Sequence, residues 1–323
     1  MLGRNLYEQQ AYNKRLTIVV MVVFVLFLCF IGLGFDFSLG GIREGLFLPF
    51  GTIVALVVGT ASSVWSLHGG ASAVLSSLGA IPPDPANPDH RQLNNIIEEM
   101  AIASGLPKPE VRIIPDDDPN ALATGASPKK SVIAVTQGLL NSLNREELQA
   151  VVAHEMGHIR NYDIRLMTVV AALAGAILLL TDRSSRMLRF RGRNRNRSLK
   201  GMGQLGVVFL VIWLVGVILA PIITRLLAAA VSRQREFLAD ASAAELTRNP
   251  LALASALKKI EHANAPTASI KRGAAHLCIV DPLGRKLNSK EGWFAELFGT
   301  HPPVEKRIIA LHAMAYRSPK PVA

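Results

Sequence analysis

His154-Glu155-Met156-Gly157-His158 is the stretch that decides what kind of fold and chemistry this chain carries. It closes a run of helical character. Asn144 followed by Glu147 forms a capping-box pattern, and Leu148, Val151 and Val152 lead from there to His158. On a helix, residues four apart share a face, with Cβ atoms about 5–6 Å apart. Both imidazoles can therefore take one metal ion, and Glu155 can act as general base toward a water that the cation acidifies. This is the logic of the zinc-protease pattern H-E-x-x-H. Gly157 inside the helix costs about 1 kcal/mol relative to alanine, which predicts close approach of another backbone or a ligand at that face.

Half of the 323 residues are hydrophobic, the balance of a membrane protein. Leu16–Phe35 is almost uninterrupted apolar sequence, long enough for a bilayer core of about 30 Å, and Arg4, Lys14 and Arg15 precede it. The run has no small-residue cleavage site and continues into Asp36, so it reads as an uncleaved anchor. A second apolar run covers 46–67, after a nearly neutral loop with Asp36, Arg43 and Glu44. The positive-inside rule then puts the basic N-terminus, and with it the H-E-M-G-H string, in the cytoplasm. Two further apolar segments, 164–181 and 205–230, enclose a basic loop, 183–203. That loop holds Arg183, Arg186, Arg189, Arg191, Arg193, Arg195, Arg197 and Lys200 with no acid among them, a large part of the net charge of +11. If both segments span, the loop lies outside, against the charge rule. The pair either crosses despite the charges, dips in without crossing, or packs partly within the protein. An even number of crossings leaves the site on the same side in each case.

The basic run has little aromatic interleaving beyond Phe190, so it reads as facing solvent or lipid headgroups and not nucleic acid. The chain has no Gly-rich phosphate loop, hence no sign of an ATP module. Cys29 and Cys278 suggest neither a disulfide framework nor a thiolate metal site and read as packing residues. The apolar segments carry almost no ionisable residues, which argues against a transporter.

The expected fold is that of a membrane protein, mainly α-helical with a small β-sheet and four hydrophobic segments. Residues 1–70 form a two-span anchor and 71–89 a Gly-, Ser- and Pro-rich linker. Residues 90–323 form an α+β catalytic domain, interrupted by the hydrophobic hairpin at about 164–230. Leu93, Ile96, Ile97 and Met100 recur at helical spacing until Gly105 and Pro107 end the run. Val111–Ile114 and Ser131–Thr136 read as strands. Asn120–Gly125 is a candidate edge strand on which an extended substrate could pair.

A zinc site of this kind needs a third protein ligand and an open position. Glu236 and Asp240 share a helical face. Spacing alone admits two readings. In one, Glu236 ligates the metal while Asp240 accepts the outer N–H of a ligating histidine. In the other, both acids sit on a solvated face balanced by Arg233 and Arg235. The ordered set Asn120-Ala121-Leu122-Ala123-Thr124-Gly125, Gly138-Leu139-Leu140, the H-E-M-G-H string with Asp163 beyond it, Glu236-Phe237-Leu238-Ala239-Asp240, and Thr300-His301-Pro302-Pro303 with Arg307 resembles the HtpX-type membrane zinc metalloproteases, relatives of the CAAX prenyl proteases. Leu122 stands where that family more often has an aromatic residue.

The resemblance implies a zincin-like α+β fold with one zinc ion on His154, His158 and Glu236, and Glu155 as base. It also implies polypeptide substrates, a stress-related quality-control role against damaged membrane proteins, and residence in the bacterial inner membrane. It draws attention to Arg307 and to His301, the latter either as a donor to the developing oxyanion or as a turn histidine held by Pro302 and Pro303. Two alternatives share parts of this picture. A CAAX-type processing protease would need more membrane helices than four apolar segments supply, and an inert scaffold would leave the intact base unexplained.

Overall fold

The structure is a computed structural model, which describes residues 6–40, 49–173, 233–263, 277–280 and 302–316. Two long helices open the chain, α1 (Leu6–Gly40) and α2 (Phe50–Ser77). The stretches Tyr7–Gly34 and Phe50–Ser77 are long and apolar enough to cross a membrane, and at 1.5 Å per residue 28 residues reach about 42 Å. Large apolar side chains such as Val19, Val22, Leu26, Leu56, Val57 and Trp65 stay exposed on these helices, as they would toward lipid. Asp36 ties the pair together. Its carboxylate accepts from the Gly51 and Thr52 backbone N–H groups (2.6 and 2.8 Å) and from the Thr52 hydroxyl, satisfying the free donors at the start of α2. Helix α2 runs on to Ser77, through the first residues of the stretch expected as a linker.

Among the described residues, three strands form one sheet in the order β1-β3-β2: β1 (Glu110–Ile114) runs parallel to β3 (Lys130–Thr136), and β2 (Ala121–Ser127) antiparallel to it. The two β-branched runs thus form strands, and the segment expected at an edge is an edge. Neither outer edge is bare. Ile81 exchanges both backbone hydrogen bonds with Ile113 at 2.8 Å, and Leu277–Val280 runs antiparallel to β2, bridging Cys278 to Leu122. Ile279 N–H donates to the Ala121 carbonyl at 2.9 Å, so this part of the edge expected to take substrate is filled by the chain itself. Cys278 is buried there and Cys29 half-buried, both free thiols in packing positions.

Helix α3 (Pro88–Ser104) begins under an Asn87 cap and ends on Gly105, whose φ of 68° takes the left-handed turn that glycine tolerates. After the short α4 (Gln137–Ser142) comes α5 (Arg145–Arg160), which starts on the expected capping box: Asn144 accepts from Glu147 N–H and the Glu147 side chain accepts from Asn144 N–H. Every residue from Ala150 to Ile159 on α5 is buried, because α3, the sheet, α6 (Arg233–Thr247) and α7 (Pro250–Glu261) surround it, while α8 (Val304–Ala315) packs on α6 and α7. Leu93, Ile97, Ile133, Val152, Met156, Leu253, Leu257 and Leu311 belong to this core. A helix buried on all sides needs no single apolar stripe, and the H-E-M-G-H string lies inside this core.

Residues 163–173, the described beginning of the third apolar segment, are helical, and Leu166, Val169, Val170 and Leu173 pack against Val20, Phe24 and Leu28 of α1. The rest of that segment, the basic loop 183–203, the fourth segment 205–230 and His301 lie outside the described residues.

Candidate metal centre

One turn apart on α5, His154 and His158 turn their Nε2 atoms toward each other at 3.2 Å, with the rings perpendicular. Their Nδ1 atoms point away, each to a buried carboxylate at 3.0 Å: His154 to Asp240, His158 to Asp163. A carboxylate accepting Nδ1–H selects the tautomer with a bare Nε2. Two bare nitrogen lone pairs facing each other at this distance repel unless a cation or a proton lies between them.

Glu236 completes the group from α6. One of its oxygens stands 3.5 Å from His154 Nε2 and the other 3.5 Å from His158 Nε2. With one donor atom from each residue, the three lie within 4.8 Å of one another. A tetrahedral ion with bonds of about 2.0–2.1 Å has ligand–ligand edges of about 3.3–3.4 Å, so a small turn of the Glu236 carboxylate fits all three donors to zinc. The charges agree with this. Glu155, Asp163, Glu236 and Asp240 are buried around the point of convergence, with Arg235 and Arg307 as the buried guanidiniums beside them. Among the described residues, four carboxylates against two guanidiniums leave two negative charges, the complement of a divalent cation bound by neutral imidazoles.

Protons meet the same deficit when no metal does. Burial alone would push His154 down, but its hydrogen bonds to Asp240 and Glu236 overcome this and carry it up to about 9. Burial pushes Glu155 up, although the neighbouring histidines and Arg307 pull the other way. For Asp240 the cost of burial is outweighed by Arg307 and His154, which hold it below the usual carboxylate range.

Gly157 explains how α6 comes so close. A Cβ there would stand 3.2 Å from both Ala239 Cα and Ser242 Cβ, so the missing side chain lets the two helix backbones nearly touch. This is the close approach expected of it, and it brings Glu236 and Asp240 under the histidines. Arg235, Glu236 and Asp240 are all buried, which rules out the solvated-face reading of this helix.

Arg307, on α8, has a role that residue spacing did not reveal. It is fully buried and grips Asp240 with Nε and Nη2 at 2.9 and 2.7 Å, while Nη1 lies 3.3 Å from Glu236 and donates to the Ile279 carbonyl at 2.8 Å. The clamp fixes the carboxylate that fixes His154. Asp163 has comparable support on the other side. Asn13 of α1 donates to its Oδ1 at 2.6 Å, and Arg235 lies 3.6 Å away as an ion pair.

A helix-borne histidine pair with a converging glutamate, beside two helices able to cross a membrane, defines the class: a membrane-associated metalloprotease. Residues 87–315 match the profile of peptidase family M48. "Protease HtpX homolog" of Thermoanaerobacter pseudethanolicus is 42% identical over 316 residues, covering 97% of this chain and 99% of that protein. The protein of the same name from Streptococcus gordonii is 38% identical over 314 residues, covering 96% and 100%. The chain belongs to peptidase family M48, among its HtpX-type proteases. In a comparison of folds, the crystal structure of S. mikatae Ste24p aligns at 20% identity with a TM-score of 0.48, covering 95% of this chain and 66% of that one.

Proposed function

We propose that the chain is a zinc-dependent endopeptidase in which His154, His158 and Glu236 hold one zinc ion and Glu155 is the general base. The observation that carries this is the pair of Nε2 atoms 3.2 Å apart, both Nδ1 atoms tied to carboxylates, with Glu236 straddling the pair at 3.5 Å. The chemistry that the ion contributes when bound is Lewis acidity toward a water and the scissile carbonyl. Glu155 takes the proton of the attacking water and returns it to the leaving amine; the upward push of burial on its carboxyl suits a group that must both accept and give a proton. Asp240 and Asp163 hold the imidazole tautomers, and Arg307 holds Asp240. His301 is assigned to the oxyanion on family resemblance alone.

Residues 90–323 would then be the catalytic part and α1–α2 the anchor. The substrates proposed are damaged or misfolded proteins of the bacterial inner membrane, cut on the cytoplasmic side. Supporting that side, Gln10 and Asn13, at the N-terminal end of α1, contact residues 160–163 directly, so the site lies at the face from which the basic N-terminus starts. An extended substrate on the β2 edge then competes with Ile279 for the Ala121 carbonyl and with the Thr168 hydroxyl, which takes the Gly125 N–H at 3.0 Å.

Comparison of the parent chain with Glu155→Gln in zinc content and in cleavage of casein or a membrane-protein substrate tests the mechanism. The variant should keep its zinc and lose about 10²–10⁴-fold in rate. Full activity with zinc retained would sink the role of Glu155.

A further inference from the structure

We propose that the N-terminal membrane helix is part of the metal centre and not only its anchor: Asn13 is a positioning residue that holds Asp163 against His158. This rests on the reading of His158 as a ligand. Asn13 sits in the first third of α1, yet it is fully buried, and its amide meets residues about 150 positions away. Nδ2 has two hydrogens and both are used, one on the Asn161 carbonyl at 2.9 Å and one on Asp163 Oδ1 at 2.6 Å. Two acceptors facing one nitrogen fix which way the amide points. The other Asp163 oxygen takes Nδ1 of His158 at 3.0 Å. The line from membrane helix to metal ligand is therefore Asn13, Asp163, His158, with a defined donor and acceptor at each step.

The turn that makes this possible is itself unusual. Helix α5 ends at Arg160, Tyr162 takes a left-handed φ of 60°, and the chain turns so that Asp163 comes back under His158. A tyrosine in that region needs outside support. α1 supplies it. Gln10 donates to the Arg160 carbonyl at 2.9 Å, Asn13 to that of Asn161, and Lys14 Nζ lies 4.2 Å from the centroid of the Tyr162 ring. One turn of α1 thus grips each residue of the reversal. Beyond it the contact continues as an apolar seam, Val20, Phe24 and Leu28 on Leu166, Val169, Val170 and Leu173. The Asn13 amide is one bond from the carboxylate that orients a ligand, where loss of such a partner costs about 10–100-fold in metal affinity. Gln10 is on the same helix face but bonds only backbone.

The test uses the full-length chain in detergent micelles, in a Glu155→Gln background so that proteolysis does not enter the readout. Zinc affinity is measured by competition with a chromogenic chelator, and thermal unfolding is followed with and without zinc. The background should bind one zinc per chain. Asn13→Ala and the volume-preserving Asn13→Leu should each weaken zinc by about tenfold or more and shrink the rise in Tm that zinc produces. Gln10→Ala should leave affinity within about twofold of the background. Asn13 variants as tight as the background would overturn the proposal, as would a loss in Gln10→Ala equal to that in Asn13→Ala, since helix docking in general would then be responsible. A purely structural role lowers Tm with and without zinc alike and leaves the increment unchanged. A background that takes up no zinc would instead refute the ligand reading.

Discussion

The two histidines stand one turn apart on α5, but opposite ends of the chain hold them. His154 leans on Asp240, and Asp240 is gripped by two nitrogens of Arg307, so a buried full charge secures the carboxylate. His158 leans on Asp163, secured by the neutral amide of Asn13 at 2.6 Å and by Arg235 only at 3.6 Å. The first support comes from α6 and α8 in the C-terminal part, the second from the membrane helix and the turn after α5. A site of this design responds differently to damage on its two sides. Asp240 is held by two bonds from one planar, ionised donor, whereas Asp163 is held by a single neutral amide and a more distant guanidinium, so the His154 side is the stiffer. The His158 side is the one tied to α1.

The largest effect should follow from Arg307→Leu. It leaves Asp240 and Glu236 buried without their shared guanidinium, and removing one partner of a buried pair typically costs about 3–5 kcal/mol. Chemical unfolding of the metal-free chain in micelles reads this directly, and a loss below about 1 kcal/mol would mean that Arg307 is not the clamp seen here. Gly157→Ala should act less and on both sides together. The added methyl would sit 3.2 Å from Ala239 and Ser242, forcing α5 and α6 apart by a few tenths of an ångström, while alanine favours the helix by about 1 kcal/mol. Overpacking costs about 1–3 kcal/mol, so the net destabilisation should be near 1 kcal/mol, with zinc affinity falling as Glu236 moves off the histidines. Unchanged zinc affinity in Gly157→Ala would show that the seam does not set the position of Glu236.

Much of this arrangement was legible in the residue order, and what was not has a common physical origin. The capping box at Asn144 and Glu147, the i, i+4 histidines, the close approach at Gly157 and the pairing of Glu236 with Asp240 are all local patterns within a few residues, where helical geometry decides who meets whom. Spacing could not choose between a ligating and a solvated Glu236; its burial excludes the solvated one. The Arg307 clamp and the Asn13 bridge join residues 67 and 150 positions apart, and no periodicity encodes such meetings. A faint signal existed for Asn13: a polar residue one turn before a long apolar run, on the face that Val20 and Phe24 continue inward. For the filling of the β2 edge the signal was weak: Leu277–Val280 is a short apolar run closed by Asp281-Pro282, which allows a strand but does not say which edge it takes.

The proposed metal centre stands on Glu236 joining the two histidines on one ion. Elemental analysis of the full-length chain after dialysis against a series of buffered zinc concentrations decides this, with Glu236→Gln beside the parent. One zinc per parent chain and a large loss of zinc in Glu236→Gln at the same free concentration is the expected result. A full equivalent of zinc held by Glu236→Gln with the parent's affinity would contradict it.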